Sequence, residues 1–138
     1  MRNIYCMMLL LLTPLLQAAP TNMQLVNIHG EEEPLSNHIG NGQWVVANIW
    51  SPSCSACVIE LPEIKRFIER NPQVPVIGIT LDFPSFGYGK IGVLRDFVEH
   101  NPLSYPLFLA DIDQASQLIG RWLVGIPSIT IFHPDGRP

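Results

Sequence analysis

Trp44-Val45-Val46-Ala47-Asn48-Ile49-Trp50-Ser51-Pro52-Ser53-Cys54-Ser55-Ala56-Cys57 is the stretch that decides how this chain is read. Residues 45–50 are β-rich and apolar on both faces, the pattern of a central strand. From Cys54 the apolar period becomes helical. Val58, Leu61, Ile64, Phe67 and Ile68 share one face, while Glu60, Glu63, Lys65, Arg66 and Glu69 mostly lie elsewhere. Two thiols three residues apart therefore stand where a strand gives way to a helix. The unpaired N–H groups and positive dipole end of a helix N-terminus favour a thiolate over a thiol. The second sulfur lies within reach to close a disulfide, so the arrangement suits thiol–disulfide exchange.

The rest of the chain supports a small globular setting for that device. Its 138 residues fit one domain with one core. A hydrophobic content of 47% with 14% charged residues describes a packed protein and excludes a disordered tail. A net charge of −4 and the lack of any Lys/Arg cluster argue against nucleic acid as a partner.

The first nineteen residues read separately. Arg2 gives a short positive start, residues 7–16 are nearly all Leu and Met apart from Thr13-Pro14, and Gln17-Ala18-Ala19 supplies small residues. Residues 1–19 are expected to be a secretory signal peptide cleaved after Ala18, because a cut after Ala19 would put Pro20 at the scissile bond. The competing reading is an uncleaved anchor, and only then would the chain meet a membrane. The apolar run is shorter than the about 20 residues a spanning helix needs. Loss of the signal removes Cys6 and leaves Cys54 and Cys57 as an even pair in an exported domain expected to run from 23 to 138.

Along that domain, residues 21–28 suggest a short first strand and Glu31-Glu32-Glu33-Pro34 a solvated turn. Residues 35–38 suggest a turn of helix closed by Gly40-Asn41-Gly42. Pro62 predicts a kink in the long helix, and Asn71-Pro72 its end. Residues 74–81 form a second buried strand, and 82–89 a loop whose aromatics either cap the core, the preferred reading, or contact a partner. A second helix covers Val93 to about His100, and 107–109 is a short extended piece. Asp113 is expected to cap a third helix running through Trp122. Gly125-Ile126-Pro127 breaks it, 128–132 is a third core strand, and Pro134-Asp135-Gly136 is a hairpin-type turn. The alternation predicts an α/β sheet covered by helices.

CxxC alone admits other chemistry. Zinc needs about four ligands, and His29, His38, His100 and His133 are scattered singly. A haem attachment needs His after the second cysteine, where Val58 stands. A structural disulfide remains open, since a small secreted domain can use one staple.

Trp50-Ser51-Pro52-Ser53-Cys54-Ser55-Ala56-Cys57, with Glu60 and Pro62 following and Gly125-Ile126-Pro127 about seventy residues later, resembles the thioredoxin superfamily. The closer resemblance is to exported TlpA/ResA-like thiol–disulfide oxidoreductases, with Asn48 where thioredoxin itself has a buried Asp. It covers roughly residues 23 to 136. It implies a central mixed sheet flanked by helices, and a redox-active Cys54–Cys57 disulfide. Cys54 would be the exposed nucleophile and Cys57 the buried resolving thiol. Glu60, one turn past Cys57, would accept its proton; the competing reading is a solvated helix carboxylate. Trp50 would pack beside the site, within its substrate-binding wall. Pro127 would match the family's cis-proline, with the Ile126 backbone pairing with substrate.

The family pattern continues past Pro134-Asp135-Gly136 with a strand and a closing helix, so the resemblance also implies a domain cut short at its C-terminal end. The expected function is reduction of client-protein disulfides in the periplasm, with electrons from a membrane-borne thiol donor and cytochrome c maturation as one setting. No metal or cofactor is called for. A disulfide oxidase or isomerase is the alternative within the class, and a redox-inactive binding module with a stapling disulfide the alternative outside it.

Overall fold

The computed structural model describes residues 22–138; the expected signal segment lies outside them. The strands are β1 (Gln24–Asn27), β2 (Glu32–Pro34), β3 (Val45–Trp50), β4 (Val76–Thr80), β5 (Leu107–Leu109) and β6 (Ser128–Phe132). They form one sheet in the order β2-β1-β5-β4-β3-β6. β3, β4 and β5 run parallel, and β1, β2 and β6 join antiparallel, so the sheet is mixed. The helices are α1 (Ser55–Arg70), α2 (Ile91–His100) and α3 (Ile112–Leu118). Together these elements make a thioredoxin-like fold, as the resemblance implied.

Strand alternation splits the core in two, one half on each face of the sheet. Val45, Ala47 and Ile49 of β3 join Ile77 and Ile79 of β4, Phe108 and Phe132 under α3, whose Ala115 and Leu118 close that side. Val46 and Trp50 join Val76, Leu107 and Leu109 on the opposite face. There Leu61, Ile64, Phe67 and Ile68 of α1 and Leu94, Phe97 and Val98 of α2 cover the sheet. Every residue of β3 and β4 is buried, as befits central strands screened on both faces.

The long helix runs unbroken through Pro62, and Asn71 ends it as its C-cap. The 82–89 loop folds on itself: Phe83 and Phe86 meet edge to face at 5.7 Å. Phe86 packs on one core and Phe83 on the other, so these two aromatics do cap the interior.

Three local expectations are corrected. The acid run is no solvated turn: Glu32, Glu33 and Pro34 pair with Val26, Leu25 and Gln24 as a hairpin strand. Glu33 also accepts a 2.7 Å hydrogen bond from the His38 ring, which, ahead of weaker bonds from Asn27 and Asn37, holds its carboxyl below the usual range. The third helix is capped by Asp111, two residues before the expected Asp113. Asp111 Oδ1 accepts from Gln114 N at 2.8 Å, and Gln114 Oε1 accepts from Asp111 N at 3.1 Å, a reciprocal capping box. That helix ends at Leu118, because Gly120 adopts a φ of +67° that continues no right-handed helix. Trp122 is therefore outside it.

Candidate redox site

The sulfur pair follows the C-terminal end of β3, a strand buried along its whole length. Cys54 N donates to Ser51 O at 3.1 Å, closing the turn that leaves the strand. Cys54 is then the N-cap of α1, and its Sγ accepts from Cys57 N at 3.2 Å. Cys54 and Cys57 are joined as a disulfide with their Cα atoms 5.2 Å apart. One of the four N–H groups that a helix start leaves unpaired thus points at the first sulfur.

Both cysteines are enclosed. Cys54 is 3% exposed and Cys57 1%, so in this disulfide state the expected exposed nucleophile lies just below the surface. Its neighbours Ser53, Ser55 and Ala56 are exposed and form the rim around it.

Ile126 and Pro127 reach the same place from the far end of the chain. β6 pairs with β3 in a register that sets Ser128 opposite Ile49, so the two residues before it lie beside Trp50 and the turn into Cys54. The Ile126–Pro127 peptide is cis, as the resemblance implied. Ile126 packs against both cores, including the one that holds the two cysteines.

Trp50 is fully buried and stacks edge-on against Phe97 at 5.4 Å, so it supports the site from beneath. Glu60 is exposed on α1, one turn beyond Cys57. Across from the cysteines, the 82–90 segment borders the approach to the site: Asp82, Lys90 and Val93 share a small crevice with Ser51, Pro52 and Ser53. Asp82 accepts from Ser85 Oγ at 2.6 Å and pairs with Lys90 Nζ at 3.2 Å; the first of these contributes most to holding its carboxyl below the usual range.

A polar cluster beneath the site has no counterpart in the sequence reading. Asn48 Oδ1, Trp50 Nε1, Thr80 Oγ1 and Tyr105 OH are buried without a hydrogen-bond partner among the described residues. The β3–β4 register sets Asn48 opposite Gly78 and Trp50 opposite Thr80, and Tyr105, from the segment before β5, closes over Gly78. Burial pushes the Tyr105 hydroxyl above the usual phenol range, and the nearby Asn48 amide works in the other direction without closing a hydrogen bond. The readable signal was Gly78 itself. A glycine within a buried strand marks a close approach, here of Leu107, Tyr105 and Trp50.

Among the described residues, no three His, Cys, Asp or Glu side chains converge in a way that would hold a metal ion. A cavity of about 280 Å³ opens at the opposite end of the sheet, where His38, Pro75, Ser104 and Tyr105 line it near the start of β4.

Neither a protein-family model nor a curated protein matches the chain. Solved structures do. A DsbF homologue from Corynebacterium diphtheriae superposes with a TM-score of 0.68 at 22% identity, over 88% of this chain and 74% of that one. The thioredoxin domain of a thiol–disulfide oxidoreductase from Bacteroides vulgatus gives 0.66 at 17%, over 87% and 82%. A secreted Mycobacterium tuberculosis disulfide oxidoreductase, homologous to E. coli DsbE, gives 0.63 at 20%, over 85% and 80%. At these identities the likeness shows the fold, which is that of thioredoxin.

Proposed function

We propose that this chain is a thiol–disulfide oxidoreductase that reduces disulfides of client proteins through Cys54 and Cys57. The observation that carries the reading is the disulfide at the first turn of α1, with Cys57 N–H directed at Cys54 Sγ. After reduction that N–H and the helix dipole stabilise a thiolate at Cys54. The thiolate attacks one client sulfur: a Cys54–client disulfide forms, the client disulfide breaks, and its second sulfur leaves as a thiolate. Cys57 gives up its proton and attacks Cys54 Sγ, which re-forms the internal disulfide and releases the client as a dithiol. Two electrons pass to the client, and a dithiol donor protein restores them.

Glu60 is the proposed proton acceptor for Cys57, acting from one turn along α1. Ile126 offers its backbone to the client beside Pro127. The apolar start of the sequence and a neighbour described as secreted support export to the periplasm. A membrane-borne thiol donor and a place in cytochrome c maturation are the finer parts of the proposal, and they rest on the sequence resemblance.

One observation favours a second reading. Both sulfurs are nearly inaccessible, as a stapling disulfide would be. Insulin reduction by dithiothreitol separates the two: wild type accelerates it and Cys54→Ser does not. An inactive wild type whose disulfide resists dithiothreitol establishes the staple. The reduction potential then gives direction. A value well below about −200 mV suits a reductant, and one near −120 mV an oxidase.

A further inference from the structure

Between α3 and β6 the chain runs Arg121-Trp122-Leu123-Val124-Gly125 into the cis Ile126–Pro127 peptide. Burial alternates along it: Trp122 is 62% exposed, Leu123 1% and Val124 87%. That is how an extended segment lies with one side on a core. Leu123 is the anchor, its N–H donating to Ser116 Oγ at 3.0 Å. The N–H groups of Trp122, Val124, Gly125 and Ile126 make no backbone hydrogen bond among the described residues. Two large apolar side chains and a run of free donors therefore share one strip of surface.

Its place says what covers it. The β3–β6 register sets Ile126 and Pro127 against the turn that ends at Cys54. Val124 is only two residues away, within about 7 Å along an extended chain. A mixed disulfide holds the client's cysteine Cα about 5–6 Å from that of Cys54. A client joined to Cys54 in an extended conformation would reach this strip with the residues flanking its cysteine, because a strand advances about 3.3 Å per residue.

We infer that Trp122 and Val124 form an apolar shelf that selects the client. The segment accepted is extended, takes hydrogen bonds from the free N–H groups beside Val124, and carries apolar side chains two residues from its reactive cysteine. Residues two apart on an extended chain face the same side, so those side chains and the cysteine turn toward the protein together. Here Trp122 and Val124 contribute recognition and leave the sulfur chemistry to Cys54 and Cys57. The inference rests on the oxidoreductase reading of that pair.

The test compares glutathione mixed disulfides of two peptides, with Leu or with Ser at both positions two residues from the cysteine, and hydroxyethyl disulfide as a substrate too small to reach the shelf. Wild type is expected to show kcat/KM about tenfold higher for the Leu peptide, the order that a few buried methylenes supply. In Trp122→Ser/Val124→Ser the preference collapses to less than about twofold, while the rate on hydroxyethyl disulfide is unchanged. Trp122→Phe, which keeps an apolar ring, keeps the preference. A wild type that treats both peptides alike overturns the shelf. So does a double variant that retains the preference, or one that slows all three substrates equally. A wild type inert toward hydroxyethyl disulfide as well overturns the oxidoreductase reading itself.

Discussion

Replacing Gly78 with alanine tests the packing on which the site rests. Gly78 is buried in β4, between Asn48 of β3 and Leu107 of β5. A Cβ there would stand 2.5 Å from Leu107 Cδ2, 3.0 Å from Tyr105 Cε2 and 3.2 Å from Trp50 Nε1. These neighbours are 3%, 9% and 0% exposed, so none can swing into solvent. To reach ordinary contact Leu107 must retreat by roughly an ångström, into side chains already packed against α1 and α2. Overpacking of this kind costs roughly 1–3 kcal/mol. The stiffer unfolded chain returns about 0.4–1 kcal/mol. A net loss of about 1–2 kcal/mol is expected. Urea unfolding followed by circular dichroism reads it as a lower midpoint with an unchanged slope. Gly92→Ala is the matched control: it lies in α2 with open space around it, and is expected to gain about 0.5–1 kcal/mol. If Gly78→Ala proves neutral or stabilising while Gly92→Ala behaves as expected, the tight contact of Leu107, Tyr105 and Trp50 over β4 is wrong.

Other perturbations follow from single features. Asp111→Ala removes the reciprocal cap of α3 and is expected to cost about 1 kcal/mol in the same unfolding assay; an effect below the error of the fit contradicts the assignment. The His38 bond gives Glu33 a carboxyl pKa below its ordinary 4.5 in the folded state. Its stabilisation is therefore complete above pH 4.5 and disappears as pH falls through the lower folded value. Glu33→Gln should flatten stability against pH in that window only, and a parallel shift at every pH would refute the coupling. Tyr105 has the opposite sign. Burial raises it above 10, so the folded state keeps a proton that the unfolded chain releases, and stability falls as pH climbs from 10 toward the folded value. Tyr105→Phe should remove that alkaline fall, which urea titrations at pH 9 and 11 would reveal.

The elements that could be read from sequence were those whose local pattern and tertiary role agree. β3 is apolar apart from Asn48, β6 is rich in β-branched residues between a proline and a turn, and α1 has a clear period with a sharp stop at Asn71, so these were placed within a residue or two. β2 was missed because three successive glutamates look solvated. What makes them a strand is the partner β1 and the bonds that Glu33 collects from His38, Asn27 and Asn37. The start of α3 turned on choosing between two aspartates, and Gln114, three residues after Asp111, was the discriminating signal. Its end was overrun because Trp122 fits the helical period, whereas Gly120 marks the stop. At the site, Cys54, Cys57 and Pro127 were legible from motif and resemblance. The Asn48–Trp50–Thr80–Tyr105 cluster was not. Its members come from three segments, and only the sheet register together with the packing of Tyr105 over Gly78 makes them neighbours.

The two cysteines lie three positions apart, whereas the Ile126–Pro127 wall beside them leads into a strand, β6, that joins β3 only after most of the chain has been made. As the polypeptide emerges during synthesis, both cysteines are present well before the residues that wall them. Under the proposed reading, the choice between clients depends on β6 staying paired with β3, since that register is what sets Ile126 and Pro127 beside the two sulfurs.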